Sequence, residues 1–226
     1  MAASSIVFDI ETLGFPLDSF DEIQQEYLLK FADSDEKREL EIQKFALSAF
    51  TGKIIAIGMM NPDTLAGKVC YQGDTKEEWT SPDGKVQYVA CSESEMLVDF
   101  WNTIPRFKNF ITFNGRSFDC PFITHRSMIL GVKPSRNINT YRFSVEPHCD
   151  LLEQLTVYGA TRKYNLDFYC KAFDIKSPKS DGVTGLQLGG LFEEKKFREI
   201  ATYCAGDIHA TCLLYKKVME PSGSEG

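Results

Sequence analysis

A short alternating segment near the amino terminus constrains the fold more than any other part of the sequence. It reads Ser-Ile-Val-Phe-Asp-Ile-Glu and ends at Glu11. In an extended backbone Ile6, Phe8 and Ile10 share one face, and Asp9 and Glu11 share the other. The β-branched and apolar residues predict a central strand, where two neighbouring carboxylates repel each other unless a cation lies between them. An edge strand whose polar face meets water is the alternative.

The rest of the sequence alternates between predicted strands and helices. Apolar runs predict four further strands, over 53–60, 67–72, 86–91 and 109–113. Capping residues and stop signals predict helices over 92–105, from Cys120 to Gly131, from Asp150, after Asn165 and over about 193–219. This order predicts an α/β sheet with helices on both faces. One domain is expected over residues 1–220, followed by a disordered tail over 221–226.

Residues 15–50 are predicted to be an acidic helical insertion that packs over one face of the sheet. Helical spacing is visible at Ile23, Tyr27 and Phe31, and later at Leu40 and Phe45. The first 50 residues hold 4 basic and 11 acidic side chains, a balance of −7 that equals the net charge of the whole chain. This charge argues against nucleic-acid binding over the entire surface, and it makes the insertion a candidate contact for a protein partner.

The seven cysteines indicate a reduced environment and no zinc site. Their number is odd, they are scattered, and they include no Cys-x-x-Cys pair. Scattered thiols of this kind are typical of cytoplasmic proteins. The amino terminus lacks the features of a signal peptide, and no apolar run approaches the roughly 18 residues of a membrane span.

Two other places in the sequence carry carboxylates that could join those of the first strand. Asp119 lies where the predicted strand 109–113 gives way to a helix, which is a common position for ligands in open α/β sheets. An N-cap role explains Asp119 equally well. Tyr203 and Asp207 are four residues apart and share a face of the last helix, although an ordinary amphipathic surface helix would show the same spacing.

Together these residues predict a metal site. Oxygen ligands suit Mg²⁺ or Mn²⁺, which keep several waters and bind substrate phosphates. Two such ions about 3.5–4 Å apart can contact both the attacking and the leaving oxygen of a phosphoryl group.

The order of these motifs resembles that of the DEDD superfamily of 3′–5′ exonucleases. The motifs are Phe8-Asp-Ile-Glu-Thr12, Asn114-Gly-Arg-Ser-Phe-Asp119 and Tyr203-x-x-x-Asp207. Within that superfamily the chain resembles stand-alone proteins similar to the exonuclease domain of family B DNA polymerases. Thr202 stands where another branch of the superfamily has histidine, so the resemblance is to the tyrosine branch.

The resemblance implies a ribonuclease-H-like fold with a five-stranded mixed sheet flanked by helices on both faces. It implies that two Mg²⁺ or Mn²⁺ ions are held by four ligands, Asp9, Glu11, Asp119 and Asp207. Tyr203 then orients the attacking water, because a phenol with a pKa of about 10 is a poor base at neutral pH. The implied activity is 3′–5′ hydrolysis of phosphodiester bonds at the 3′ ends of single-stranded nucleic acid, with DNA favoured over RNA.

Substrate contacts follow from position along the chain. The candidates for binding the terminal nucleotide or a phosphate are Thr12, Leu13, Gly14, Asn114, Phe118 and Lys179. A basic run from Arg126 through Lys133 and Arg136 to Arg142 is a further candidate for backbone phosphates. Two other interpretations remain open: a catalytically silent binding module with the same fold, and a phosphatase that uses Asp9 as nucleophile.

Overall fold

A mixed seven-stranded sheet forms the centre of the protein in the computed structural model, which describes residues 5–176 and 187–219. The strands are β1 (Ser5–Gly14), β2 (Gly52–Met60), β3 (Gly67–Tyr71), β4 (Glu78–Thr80), β5 (Val86–Ala90), β6 (Asn109–Thr112) and β7 (His148–Asp150). Their order across the sheet is β4-β5-β3-β2-β1-β6-β7.

The first strand is central, as predicted. β1 pairs antiparallel with β2 along most of its length and parallel with β6 only from Ser5 to Val7. Beyond Val7 the strands β1 and β6 separate, which leaves the β6 side of β1 open to other partners. The pairing of β1 with β2 is irregular between Glu11 and Thr12, and irregularities of this kind commonly redirect side chains beside functional sites.

Helices cover both faces of the sheet. They are α1 (Glu22–Leu28), α2 (Asp35–Gln43), α3 (Glu93–Thr103), α4 (Asp119–Ile129), α5 (Leu151–Leu155), α6 (Leu166–Ala172), α7 (Leu188–Glu193) and α8 (Phe197–Met219). The predicted caps are confirmed: Ser92 forms a capping box with Glu95, and the side chains of Asp150 and Asn165 accept from the first turns of α5 and α6. In the described parts of the chain, no helix is long and apolar enough to cross a membrane.

Successive side chains of β1 point to opposite faces of the sheet and belong to two different hydrophobic cores. Ile6, Phe8 and Ile10 pack against α3 and α4 on one face. Val7 packs on the other face with side chains of α5, α6 and α8. Asp9 and Glu11 follow Val7 on this second face, so the carboxylates point toward the long carboxyl-terminal helix.

The sheet has two more strands than the five that were predicted. Both additional strands, β4 and β7, are three residues long and lack a hydrophobic pattern of their own. β7 pairs with β6, and all three of its residues are buried. This burial depends on tertiary contacts that the local sequence does not contain. The last helix also begins later than predicted, at Phe197, and the separate helix α7 precedes it.

The predicted insertion over residues 15–50 is helical, but the packing expected for it is wrong. Phe45 is buried as its spacing suggested, whereas Ile23, Tyr27, Phe31 and Leu40 are exposed. Neither α1 nor α2 contains a buried residue. The predicted tail over 221–226 and most of the glycine-rich stretch near 177–190 lie outside the described residues.

Candidate active site

Asp9 and Glu11 lie side by side beneath α8. An oxygen of each carboxylate and the sulfur of Cys204 are all within 4.8 Å of one another. Asp9 is half-buried and Glu11 is buried. Within the described residues the Oε1 atom of Glu11 has no hydrogen-bond partner. A buried carboxylate oxygen without a partner is costly, and a bound cation would satisfy it.

Asp119 lies at the edge of β1 that faces β6, close to the carboxylates of Asp9 and Glu11. It is the first residue of α4, and its Oδ1 accepts a 3.0 Å hydrogen bond from the backbone N–H of Ile10. This N–H belongs to the part of β1 that has separated from β6, so Asp119 takes the place of the missing strand. The side chain of Phe118, which occupies the N-cap position, makes no cap hydrogen bond. Asp119 therefore serves β1, and the capping interpretation does not describe its position.

A tight loop after β6 places Asp119 beside the open edge of β1. Gly115 is required in this loop, because a Cβ there would lie 2.5 Å from the Cβ of Thr112. The buried carboxylate of Asp150 accepts hydrogen bonds from the backbone N–H groups of Asn114, at 3.0 Å, and Arg116, at 2.9 Å. Asp150 thus fixes the loop while it also caps α5.

Arg116 anchors the segment that leads to β7. Its Nε donates to Glu153 at 2.8 Å, and its terminal nitrogens donate to carbonyl oxygens of Thr140, Tyr141, Ser144 and His148. Nearly all of its donors are used inside the protein. Arg116 therefore stabilises the loop that carries Asp119.

α8 supplies the remaining predicted residues, Tyr203 and Asp207. Their side chains are hydrogen-bonded to each other across one turn of the helix. The helix approaches the sheet closely at Gly58, which lies opposite Asp9 in β2. A Cβ on Gly58 would lie 2.9 Å from Cys204 Sγ and 3.0 Å from Ile208 Cδ1. Glycine at this position lets α8 lie close to β2 without displacing the side chains of Cys204 and Ile208.

The electrostatics of the cluster favour a bound cation. Burial raises the pKa of Asp9 and of Glu11 well above the ordinary range, and repulsion from neighbouring carboxylates, including Asp119 and Asp207, raises both further. The pKa of Asp119 rises to about 7, because burial outweighs the opposing hydrogen bond from Ile10. Repulsive carboxylates with a bare oxygen form a donor set that fits Mg²⁺ or Mn²⁺.

Tyr203 is a neutral phenol in this environment. Burial raises its pKa above 10, and the nearby carboxylate of Asp207 raises it further. A phenol that is harder to ionise than usual is not suited to removing a proton from water at neutral pH. It can still donate or accept a hydrogen bond, which agrees with the expectation that Tyr203 positions a water.

The three residues that follow Glu11 do not share one environment. Leu13 is partly buried on the same side of the sheet as the carboxylates, near Gly189 of α7. The Thr12 hydroxyl donates to the carbonyl of Ala46 at 2.7 Å, and Gly14 packs against Phe45. Leu13 is therefore placed where a nucleotide could contact it, whereas the Thr12 side chain and Gly14 face the insertion.

The other predicted substrate residues are placed unequally. Asn114 adopts a left-handed conformation with φ of 65° and lies half-buried in the loop before Asp119. Phe118 is half-buried and packs on Phe122, 5.5 Å between ring centroids, on the α4 side of the sheet. Lys179 lies outside the described residues.

The three arginines of the basic run do not form a free phosphate-binding surface, contrary to expectation, whereas Lys133 of the same run is exposed. Arg126 is buried and donates from two nitrogens to the Glu93 carboxylate, each at 2.8 Å. Arg136 donates to backbone carbonyls, including that of Phe107. Arg142 is exposed but paired with Glu153. These arginines complete internal contacts that the linear charge pattern does not reveal.

Four residues with evident roles were not identified as site residues from the sequence, namely Gly58, Arg116, Asp150 and Cys204. Asp150 was recognised as a helix cap and as part of a segment similar to the family, but not as a site residue. Gly58 interrupts an otherwise apolar strand, which is a known signal of close backbone approach and could have pointed to the helix above it. Nothing in the local sequence around Cys204 indicates that its sulfur lies near the carboxylates of Asp9 and Glu11.

Comparisons with known proteins agree with this geometry. Residues 77–224, more than half of the chain, match the model of a family described as a predicted 3′–5′ exonuclease related to the exonuclease domain of PolB. The matched range includes Asp119, Tyr203 and Asp207.

Parts of the chain are similar to two DNA polymerases. In an alignment over 99 residues, the sequence is 31% identical to DNA polymerase 1 of Aeropyrum pernix. The alignment covers 38% of the chain and 10% of that polymerase. The structure of the family B DNA polymerase from the hyperthermophilic archaeon Pyrobaculum calidifontis aligns with 97% of the chain, with a TM-score of 0.60 and 15% identity, and the chain spans 25% of it. This likeness shows the shared ribonuclease-H-like fold. By its family match, the chain belongs to the predicted 3′–5′ exonucleases related to the exonuclease domain of PolB.

Proposed function

We propose that the protein is a metal-dependent 3′–5′ exonuclease acting on single-stranded nucleic acid, with DNA favoured over RNA. The observation that carries this proposal is the convergence of carboxylates from β1, α4 and α8, with one buried Glu11 oxygen unpartnered among the described residues. Such a cluster destabilises the protein unless it binds cations. A site that carries this cost is expected to have a function.

The residues that would hold two Mg²⁺ or Mn²⁺ ions are Asp9, Glu11, Asp119 and Asp207. Bound ions would acidify the attacking water and neutralise charge on the phosphate and on the leaving oxygen. The hydrogen bond from Ile10 to Asp119 fixes that carboxylate relative to β1. The close contact at Gly58 fixes the position of α8 in the same way.

Tyr203 has a positioning role toward the water. Its hydrogen bond to Asp207 orients the phenol, and its raised pKa keeps the hydroxyl proton in place. In the reaction, water adds to the terminal phosphorus and the bond to the 3′ oxygen of the preceding nucleotide breaks. The products are a nucleoside 5′-monophosphate and a strand shortened by one residue with a free 3′ hydroxyl.

The proposal is tested with a single strand labelled at its 5′ end. The purified chain with Mg²⁺ or Mn²⁺ should give a ladder of labelled products that shorten one nucleotide at a time, and a matched RNA strand measures the preference for sugar. Asp119→Ala should abolish the ladder, whereas Glu39→Gln, a change of an exposed carboxylate on α2, should leave it unchanged. Full cleavage by Asp119→Ala would refute the metal assignment.

The second candidate, a silent binding module, predicts that the chain binds single strands but never shortens them. The full set of carboxylates argues against it, because a site without catalysis has no reason to keep a repulsive cluster. Binding without cleavage across a range of Mg²⁺ and Mn²⁺ concentrations would decide in its favour. The phosphatase interpretation is separated by the product, since it requires a covalent aspartyl-phosphate on Asp9.

A further inference from the structure

The insertion between β1 and β2 presents an apolar stripe that the rest of the described chain does not cover. Ile23, Tyr27 and Phe31 are spaced four residues apart, so they share one side of α1 and of the turn that follows it. Their exposed fractions are 80%, 78% and 83%. We call these three residues the outer stripe.

The helix that carries the outer stripe begins with a capping box between Asp21 and Gln24, but within the described chain it has no packed apolar face. α1 is seven residues long and contains no buried residue. Helices this short are marginal in water unless an apolar face is packed. Leu29, just beyond α1, is buried and holds the turn to the protein, which leaves the outer stripe as the face available to a partner.

The charge around the outer stripe selects the kind of partner. Residues 15–50 hold 9 acidic and 4 basic side chains, a balance of −5. Glu22 and Glu26 are exposed on α1, one residue before Ile23 and Tyr27, whereas the exposed Lys30 lies 5.5 Å from the Phe31 ring centroid. The acidic flank therefore borders the Ile23 and Tyr27 part of the outer stripe. An apolar strip with a carboxylate flank is complementary to an amphipathic helix that has basic residues beside its apolar face.

Two other occupants fit less well. Nucleic acid could stack on Tyr27 and Phe31, but its phosphates would be repelled by the acidic flank. In a symmetric pair of copies of this chain, the same acidic segments would face each other. We propose that the outer stripe is the docking site for a basic amphipathic segment of another protein.

The probe is a fluorescein-labelled synthetic helix with leucine and phenylalanine on one face and lysine and arginine on the other. Fluorescence anisotropy with the full chain should show binding at least about tenfold tighter than for a peptide of the same composition in scrambled order. The triple variant Ile23→Ser, Tyr27→Ser, Phe31→Ser should weaken binding by about tenfold or more. The matched variant Val98→Ser, Met128→Ser changes exposed apolar residues on α3 and α4 and should bind like the wild type.

Charge is tested separately. Glu22→Gln with Glu26→Gln should weaken binding and reduce its dependence on salt concentration, and a peptide with lysine replaced by glutamate should not bind. Circular dichroism and strand-shortening activity of every variant should match the wild type, which separates docking from folding and from the exonuclease site.

The docking proposal is overturned by any of three results. The scrambled peptide could bind as tightly as the ordered one, or the triple variant could bind like the wild type. The third result is a dimer in analytical ultracentrifugation that the triple variant dissociates, which would assign the outer stripe to a second copy of the chain.

Discussion

Replacing Asp119 by asparagine should make the metal-free protein more stable while it removes activity. The side chain is buried, and its pKa is about 7 against an ordinary value of 3.8. At roughly 1.4 kcal/mol per pKa unit, ionising Asp119 in the folded protein at pH 8 costs about 4 kcal/mol. Asparagine has nearly the same shape and an oxygen that can still accept from Ile10. The substitution therefore removes the charge and keeps the hydrogen bond.

The raised pKa of Asp119 determines the pH range in which the substitution should change stability. Because the folded state holds the Asp119 proton more tightly than the unfolded state, this stabilising contribution is fully present below about pH 4. It is lost as the pH rises through about 7. In EDTA, Asp119→Asn and the wild type should melt at similar temperatures near pH 4. At pH 8 the variant should melt on the order of 10 °C higher, from roughly 2–4 °C per kcal/mol in a chain of this size.

Differential scanning fluorimetry in EDTA and in Mn²⁺ measures both parts of this prediction. Mn²⁺ should raise the melting temperature of the wild type more at pH 8 than at pH 5, and it should stabilise Asp119→Asn less. Asp119→Ala is the matched comparison, because it also leaves the buried N–H of Ile10 unpaired, at a cost of about 1–3 kcal/mol. If Asp119→Asn melts below the wild type at pH 8 in EDTA, the cost inferred for burying the ionised Asp119 carboxylate is wrong.

Three further predictions concern other parts of the structure. Tyr203→Phe should lower turnover and leave stabilisation by Mn²⁺ unchanged, and unchanged turnover would remove its positioning role. Gly58→Ala should destabilise the protein by about 1–3 kcal/mol and reduce activity, because its Cβ meets α8. Gly190→Ala, whose Cβ would meet nothing within 4 Å, should be neutral or slightly stabilising in urea unfolding. Arg126→Met should cost about 3–5 kcal/mol, because it breaks a buried pair, whereas Arg142→Met, at a half-exposed pair, should cost less than about 1 kcal/mol. Equal costs in the last comparison would contradict the assignment of Arg126 to the interior.

The sequence suggested which residues form the active site, but it did not show how the fold brings them together. Period-two alternation placed Asp9 and Glu11 on one face of β1, and helical spacing joined Tyr203 to Asp207. For Asp119 local chemistry allowed a cap, and only the separation of β1 from β6 shows why its carboxylate turns to Ile10. Hydrogen bonds between distant segments leave no local pattern.

The same distinction explains the expectations that failed. The strand β7 has no hydrophobic pattern, because its burial comes from pairing with β6. Arg126 and Arg136 looked like a basic surface, because charge along a sequence does not reveal whether a carboxylate or a carbonyl lies opposite. The outer stripe had the spacing of a buried face and is exposed.

By itself the sequence determined the central strand, the α/β class and the helix caps, because each follows from residue patterns within single elements. It predicted the four carboxylates only through the order of motifs spread along the chain. The tertiary structure alone decided that Gly58 admits α8, that Asp150 fixes the loop before Asp119, and that Cys204 lies beside Asp9 and Glu11. Those features depend on contacts between segments far apart in the chain, where the fold and not the local pattern sets the distance between atoms.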